Sequence, residues 1–198
     1  MTSYHLEDSQ AAIKGGFTRI VNFQHRQPLA RKWGDGTLSS SDGQRFPISV
    51  KARNARALPR YFGYGRGLTS YSWTSSELSQ YGSKITPATD RDATYVLDEI
   101  LGNETELPLL EHTTDIAGHK QRVSGTFDLL GRVFSPRRRD LDKAVLYCFP
   151  ETDMRQYPRL KGRFKGVVKS GIVLKYWTEL WRLAGSLKLG WVSASLLL

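Results

Sequence analysis

Asp42 closes a run of small hydroxyl residues, Ser39-Ser40-Ser41, and leads into Gly43-Gln44-Arg45-Phe46. Asp115 closes a second run, Glu111-His112-Thr113-Thr114. Small neighbours let a phosphate or a metal ion approach a carboxylate closely. Magnesium takes oxygen ligands and keeps positions open for a substrate phosphate. Two such ions, about 3.5–4 Å apart, can activate an attacking oxygen and stabilise a leaving one in an in-line displacement. The pair therefore suits metal-dependent phosphoryl transfer. Asp35, in Gly34-Asp35-Gly36-Thr37, is a further acid in the same Gly-, Ser- and Thr-rich stretch. Against all three stands the commoner use of Asp in Gly/Ser-rich segments, which is to cap a turn. His112 suits a supporting role better than a ligand's, because magnesium sites favour oxygen.

To bring these acids together the chain must place each at the end of a strand. Residues 42 and 115 leave room for three strands and a helix between them. The pattern predicts a helix over Gln10 to Val21, broken at Gly15-Gly16. It predicts a hairpin within Thr37 to Val50, a second strand pair within Tyr61 to Trp73, and a short strand at Lys84 to Thr86. Thr89 to Gly102 reads as a helix with Asp92 in the capping-box position and an apolar stripe of Ala93, Val96, Leu97, Ile100 and Leu101. Leu107 to Thr114 reads as a strand feeding Asp115, and Ala117 to Leu130 as a helix ending at Gly131. Another strand follows at Lys143 to Phe149. Ile172 to Leu187 reads as an amphipathic helix with Val173, Trp177, Leu180, Trp181, Ala184 and Leu187 on one side. Cys148, in an apolar strand, reads as a buried inert thiol. Alternating strands and helices imply an α/β fold with a mixed sheet.

The 198 residues suffice for one large domain or two small ones. A single cysteine excludes an internal disulfide framework and points to a reducing compartment. The first residues lack the basic and apolar regions of a secretory signal, and the apolar run from Leu189 is too short to span a bilayer. The net charge of +10 favours a polyanionic partner. Residues 1–118 hold 13 basic and 13 acidic side chains, whereas residues 119–175 hold 14 and 5. The excess thus lies just beyond Asp115. Arg137, Arg138 and Arg139 are the candidates within it for contacts to a DNA backbone. Among the aromatics, Tyr61, Phe62, Tyr64 and Tyr71 could stack on unpaired bases, although packing into a core is the more ordinary use.

A longer pattern is also present. It comprises Val21-Asn22-Phe23-Gln24-His25-Arg26-Gln27-Pro28-Leu29-Ala30, Trp33-Gly34-Asp35-Gly36-Thr37 and Ser39-Ser40-Ser41-Asp42-Gly43-Gln44-Arg45-Phe46. It continues through Ala93-Thr94-Tyr95-Val96-Leu97-Asp98, Glu111-His112-Thr113-Thr114-Asp115, Phe134-Ser135-Pro136-Arg137, Arg139-Asp140-Leu141 and Leu183-Ala184-Gly185-Ser186-Leu187-Lys188. In these blocks and their order the chain resembles the transposases of the Tn-three family of replicative transposons. The chain departs from the family's pattern at Trp73 and at Ser76-Glu77, where the family tends to read His and then Asp-Gln.

The resemblance implies an RNase H-like mixed sheet flanked by helices, incomplete at the C-terminus, and a DDE triad. On that match Asp42 and Asp115 are the first two acids and metal ligands, with Asp35, also in a shared block, the runner-up for the first. The third, a helical Glu, falls beyond Leu198 at the family's usual spacing. It implies two magnesium ions, double-stranded DNA at transposon ends and target, a homo-oligomer, and a bacterial, DNA-associated cytoplasmic location. The expected organisation is a helical lead-in over residues 1–30, a partial catalytic core over 31–150, and a basic connection with an amphipathic helix over 151–198. The chain is expected to be a fragment, lacking the N-terminal region that recognises transposon ends, and inactive alone. The alternatives are a non-catalytic DNA-binding remnant and a metal-dependent nuclease of another RNase H-like class. The second would need its third acid inside the chain, with Glu151 as the candidate by spacing; Glu179 reads as an exposed polar residue.

Overall fold

The computed structural model describes residues 2–115, 121–137, 143, 145–151 and 153–197. Helix α1, Thr2–His25, passes through Gly15 and Gly16 unbroken. Each glycine costs roughly 1 kcal/mol in a helix interior, and a helix of 24 residues absorbs that cost. The end of α1 is tied down by polar contacts. His25 Nδ1 lies 2.8 Å from the buried carboxylate of Glu77, and Gln24 Nε2 donates to the Glu77 carbonyl at 2.8 Å. Asn22 Oδ1 accepts from the Glu106 amide at 2.8 Å.

Strand β1, Leu38–Ile48, is one 11-residue strand where turn-forming residues predict a hairpin. Gly43 explains the difference. A Cβ there would lie 2.8 Å from Asp92 Oδ1 and 3.0 Å from Thr69 Cγ2, so this glycine admits a close neighbour and does not make a turn. Gly43→Val is expected to lower stability by about 1–3 kcal/mol through overpacking, read as a lower urea midpoint. Strand β2, Arg56–Ala57, and the single-turn helix α2, Pro59–Phe62, lead into β3, Arg66–Ser75, and β4, Gln80–Pro87. β3 is a single strand across most of the stretch expected to hold a pair, and β4 contains the expected Lys84 to Thr86 segment.

The predicted helix from Thr89 to Gly102 is divided into a 3-10 turn, Asp92–Thr94, and a short helix α3, Asp98–Leu101. The Val96 carbonyl accepts from Trp73 Nε1 at 2.9 Å, and Tyr95 donates its hydroxyl to Asp90 at 2.5 Å. These bonds hold the segment as consecutive turns. Its apolar stripe is still buried: Ala93, Val96, Leu97 and Ile100 all lie in the core. Strand β5, Glu111–Thr114, helix α4, Gln121–Leu129, and β6, Val133–Phe134, follow. Beyond them lie β7, Leu146–Cys148, β8, Phe164–Val167, and helices α5, Ser170–Lys175, α6, Trp177–Lys188, and α7, Ala194–Leu197. The amphipathic helix expected from Ile172 to Leu187 breaks at Tyr176. Its Ala184 and Leu187 are buried, while Trp177 and Trp181 are exposed and pack edge-to-face on each other at 5.8 Å. Cys148, expected to be buried, is half-buried, with Sγ 3.7 Å from the Gly166 carbonyl.

The main sheet runs β4–β3–β1–β5–β6, with β2 extending the β4 side of β3. β4, β3 and β1 are antiparallel, and β1, β5 and β6 are parallel. An antiparallel trio whose first strand continues into a parallel pair is an RNase H-like mixed sheet, and helices flank it. α1 packs on β4, and α4 packs on β6 and α6. Tyr71, Trp73, Val96, Leu97, Val123, Phe127 and Leu187 form the centre of the core. β7 and β8 pair in parallel as a small second sheet. Trp73 and Glu77 are both buried and partnered. Among the described residues no helix is long and apolar enough to cross a membrane.

Candidate active site

Strand alternation fixes which side chains share a face. On β1, Ser39 and Ser41 are buried, while Ser40 and Asp42 are exposed. On β5, His112 and Thr114 are buried, while Thr113 is half-buried and Asp115, the next residue, is exposed. Asp42 and Asp115 therefore belong to the outward-facing sets of adjacent parallel strands. Ser41 pairs with Thr114, so the two aspartates each follow that pair by one residue, and both line the same cavity. Across β1, Asp42 pairs with Ser72 and Ser40 with Thr74. The outer face thus carries two rows, Thr74–Ser40–Thr113 and Ser72–Asp42–Asp115. These residues, with Ser41, Thr114 and Arg137, line an open cavity of about 320 Å³. Small hydroxyl side chains form its floor and leave room above the carboxylates.

Arg137 joins the site because its backbone N–H donates to the Thr114 carbonyl at 2.8 Å, which carries the chain past β6 beside the end of β5. Its side chain is exposed at the cavity. Arg138 and Arg139 lie outside the described residues. Asp35 is placed differently. Its Oδ1 accepts from the Thr37 hydroxyl at 2.6 Å and the Thr37 amide at 3.0 Å. These bonds hold its pKa below the usual carboxylate value and make it the cap of the turn entering β1. It does not line the cavity. Glu151 and Glu179 are exposed and also lie outside it.

A hydrogen-bonded chain crosses three strands on the buried side. Ser39 Oγ lies 2.8 Å from His112 Nδ1 and 3.3 Å from the Glu111 carbonyl. Ser41 Oγ lies 2.8 Å from His112 Nε2 and 2.8 Å from the Tyr71 hydroxyl. The carbonyl can only accept, so the Ser39 proton is directed to it and His112 Nδ1–H donates to Ser39. Ser41 then donates to Nε2 and accepts from Tyr71. Burial holds the imidazole neutral, with its pKa pushed down to about 3. The ring also lies parallel to Phe127 at 5.9 Å and to Phe134 at 6.5 Å. His112 therefore supports the site from beneath: it pins β1 to β5, and that alignment sets Asp42 against Asp115.

Asp92 is the residue that sequence reasoning missed, having assigned it to a helix cap. It is buried behind Gly43. Its carboxyl is pushed above the usual range by burial, opposed by Arg45 and reinforced by the charges of Asp115 and Asp42. An acid with a raised folded pKa favours folding below its unfolded pKa and loses that contribution as pH rises. Asp92→Asn is accordingly expected to raise the melting temperature at pH 7.5 relative to the parent and to bring no such gain near pH 4, measured by thermal melts. Gly43 and Asp92 lie 49 residues apart, and nothing in the local pattern at either position signals their contact.

The chemistry of the donor set suits a hard divalent cation: two carboxylates and several hydroxyls, oxygen throughout, open to solvent. Among the described residues no group of three or more His, Cys, Asp and Glu side chains converges as a metal site.

Comparison with known proteins agrees with this geometry. The sequence model of the family described as "Tn3 transposase DDE domain" matches residues 5–198. The transposase for transposon Tn1546 of Enterococcus faecium is 41% identical over 179 residues, covering 90% of this chain and 18% of that protein. The transposase for transposon Tn21 of Escherichia coli is 38% identical over 198 residues, 100% of this chain and 20% of that protein. The transposase for transposon gamma-delta of Escherichia coli strain K12 is 38% identical over 177 residues, 89% and 18% respectively. The chain spans about a fifth of the length of these curated relatives. No solved structure matches.

Proposed function

The chain belongs to the Tn3 transposase DDE domain family, and on that footing we propose that it carries two of the acids with which a transposase cuts and joins DNA. The observation that supports this most is the placement of Asp42 and Asp115 side by side on the outer face of β1 and β5. The domain family implies a divalent metal; we take the ions to be two magnesium ions, matched to an oxygen-only donor set. Bound there, they supply Lewis-acid stabilisation of the attacking and leaving oxygens of a phosphodiester.

The chain's own residues do the rest. Asp42 and Asp115 provide negative oxygen ligands. The Gly43 amide donates to Asp42 Oδ1 at 2.7 Å and restrains that carboxylate. Ser40, Ser72, Thr74 and Thr113 keep the floor low enough for a DNA strand to approach. Arg137 adds a positive charge where a phosphate would enter. The reaction has two stages, hydrolysis at a transposon end and attack of the freed 3′-hydroxyl on target DNA, at the same pair of acids.

The test uses a transposase carrying this segment, a labelled transposon-end duplex and magnesium. New 3′-hydroxyl ends that then join to target DNA are expected. Product that forms equally well in excess EDTA would overturn the proposal.

A further inference from the structure

Between Asp42 and Glu77 the sequence holds six basic side chains, Arg45, Lys51, Arg53, Arg56, Arg60 and Arg66, and no acidic one. The balanced total for residues 1–118 conceals this run. The fold collects Lys51, Arg53, Arg56 and Arg60 at one end of the sheet, in the β1–β3 connection, with Arg66 at its exit. Lys51, Arg53, Arg56, Arg60 and Arg66 are all exposed, and among the described residues none has a carboxylate within salt-bridge distance.

The connection is built. Asn54 Nδ2 donates to the Ile85 carbonyl at 3.0 Å, which ties it to β4. Arg56 Nη1 donates to the Arg53 and Ala55 carbonyls at 2.9 and 3.0 Å, and Ala55 is buried. Phe62 lies over Gly67, where a Cβ would come within 2.2 Å of its ring. The Arg45 guanidinium sits 4.6 Å from the centre of the Tyr61 ring. Two of the three aromatics at the tip are thereby engaged. Tyr64, between Gly63 and Gly65, is not: its relative exposure is 111%. Tyr71, also a stacking candidate by sequence, is in the core.

We propose that this connection, residues 49–65 with Arg66 at its exit, is a DNA-binding finger. Its cations, none of which meets a carboxylate among the described residues, hold phosphates, and Tyr64 stacks on an unpaired base. Cations without acidic neighbours around a bare aromatic match the chemistry of a strand whose bases are accessible. The position fits the proposed chemistry, on which this inference rests for its substrate. Ile48, where the finger begins, is six residues along β1 from Asp42, or about 20 Å at roughly 3.3 Å per residue. That is the length of about six base pairs at ~3.4 Å each, so one DNA molecule reaches both.

The test is fluorescence polarisation in EDTA with the full chain, using a blunt duplex and the same duplex with a single-stranded tail, at several salt concentrations. Lys51→Ala/Arg53→Ala/Arg60→Ala is expected to weaken binding of both by tenfold or more and to reduce the salt slope by about 2–3. Tyr64→Ala is expected to weaken the tailed substrate about 5- to 100-fold and leave the blunt duplex unchanged. A triple variant with the parent's circular dichroism and melting temperature, and the parent's affinity and slope, would overturn the finger. Equal effects of Tyr64→Ala on both DNAs, or none, would overturn the stacking. If the triple variant fails to fold, Arg53→Glu replaces it under the same criteria. The binding is read in EDTA and the cleavage in magnesium, so the finger and the acid pair succeed or fail separately.

Discussion

Asp115→Asn, in a transposase that carries this segment, is expected to lower strand cleavage and joining by about a thousandfold or more while the fold survives. The asparagine has nearly the same shape but no charge. Removing one anionic oxygen ligand weakens the hold on a divalent ion whose contribution to the transition state is several kcal/mol, and each ~1.4 kcal/mol is tenfold in rate. The structural cost is small because Asp115 is exposed, one residue past the end of β5. Asp42→Asn is expected to match it, since Asp42 occupies the adjacent outward position on β1. Asp35→Asn is the control. Its carboxylate serves the Thr37 turn, so the activity should stay within a fewfold of the parent. Gel assays of nicked and joined products, with circular dichroism of each variant, separate loss of chemistry from loss of fold.

The second large effect is on stability and its pH dependence, through His112. The buried imidazole has a pKa pushed down from 6.5 to about 3. In the unfolded chain it takes up a proton near pH 6.5, so between that pH and about 3 the unfolded state binds more protons and stability falls with pH. The loss is about 1.4 kcal/mol per pH unit, or roughly 2 kcal/mol by pH 5. His112→Gln cannot titrate there and should lose less stability than the parent over the same interval. His112→Ala removes the ring that lies parallel to the stacked Phe127–Phe134 pair and leaves the Ser41–Tyr71 end of the chain without its acceptor. It is expected to cost about 2–5 kcal/mol at pH 7. Urea titrations from pH 7.5 to 5 measure both, and parallel curves for parent and His112→Gln would refute the titration argument.

The sequence is legible where local pattern and tertiary contact agree. β5 ends at Thr114 beside Asp115, as its apolar and hydroxyl pattern implies, and α4 buries the expected Val123 and Phe127. The RNase H-like order followed from the family blocks, and the sheet has it. Where a distant residue decides the outcome, the pattern misleads. Gly43 looks like a turn residue, yet it admits a side chain from elsewhere, that of Asp92. The stripe from Ala93 to Ile100 is buried as expected, but Trp73 takes the Val96 carbonyl and the helix is divided. At the site, the sequence singled out both acids that the fold sets side by side, and their role as ligands is the proposal to be tested. Asp92 and the cationic finger escaped notice for different reasons. The first depends on a contact across the sheet. The second was averaged away by counting charge over too long a window.

The central claim is that Asp42 and Asp115 together hold a divalent cation. A manganese titration of the chain, followed by the loss of the free-ion electron paramagnetic resonance signal, tests it most directly. The account predicts binding by the parent and by Asp35→Asn with equal affinity, and at least tenfold weaker binding by Asp42→Asn and by Asp115→Asn. Parental affinity in either of those last two variants, or loss of binding in Asp35→Asn, would contradict it.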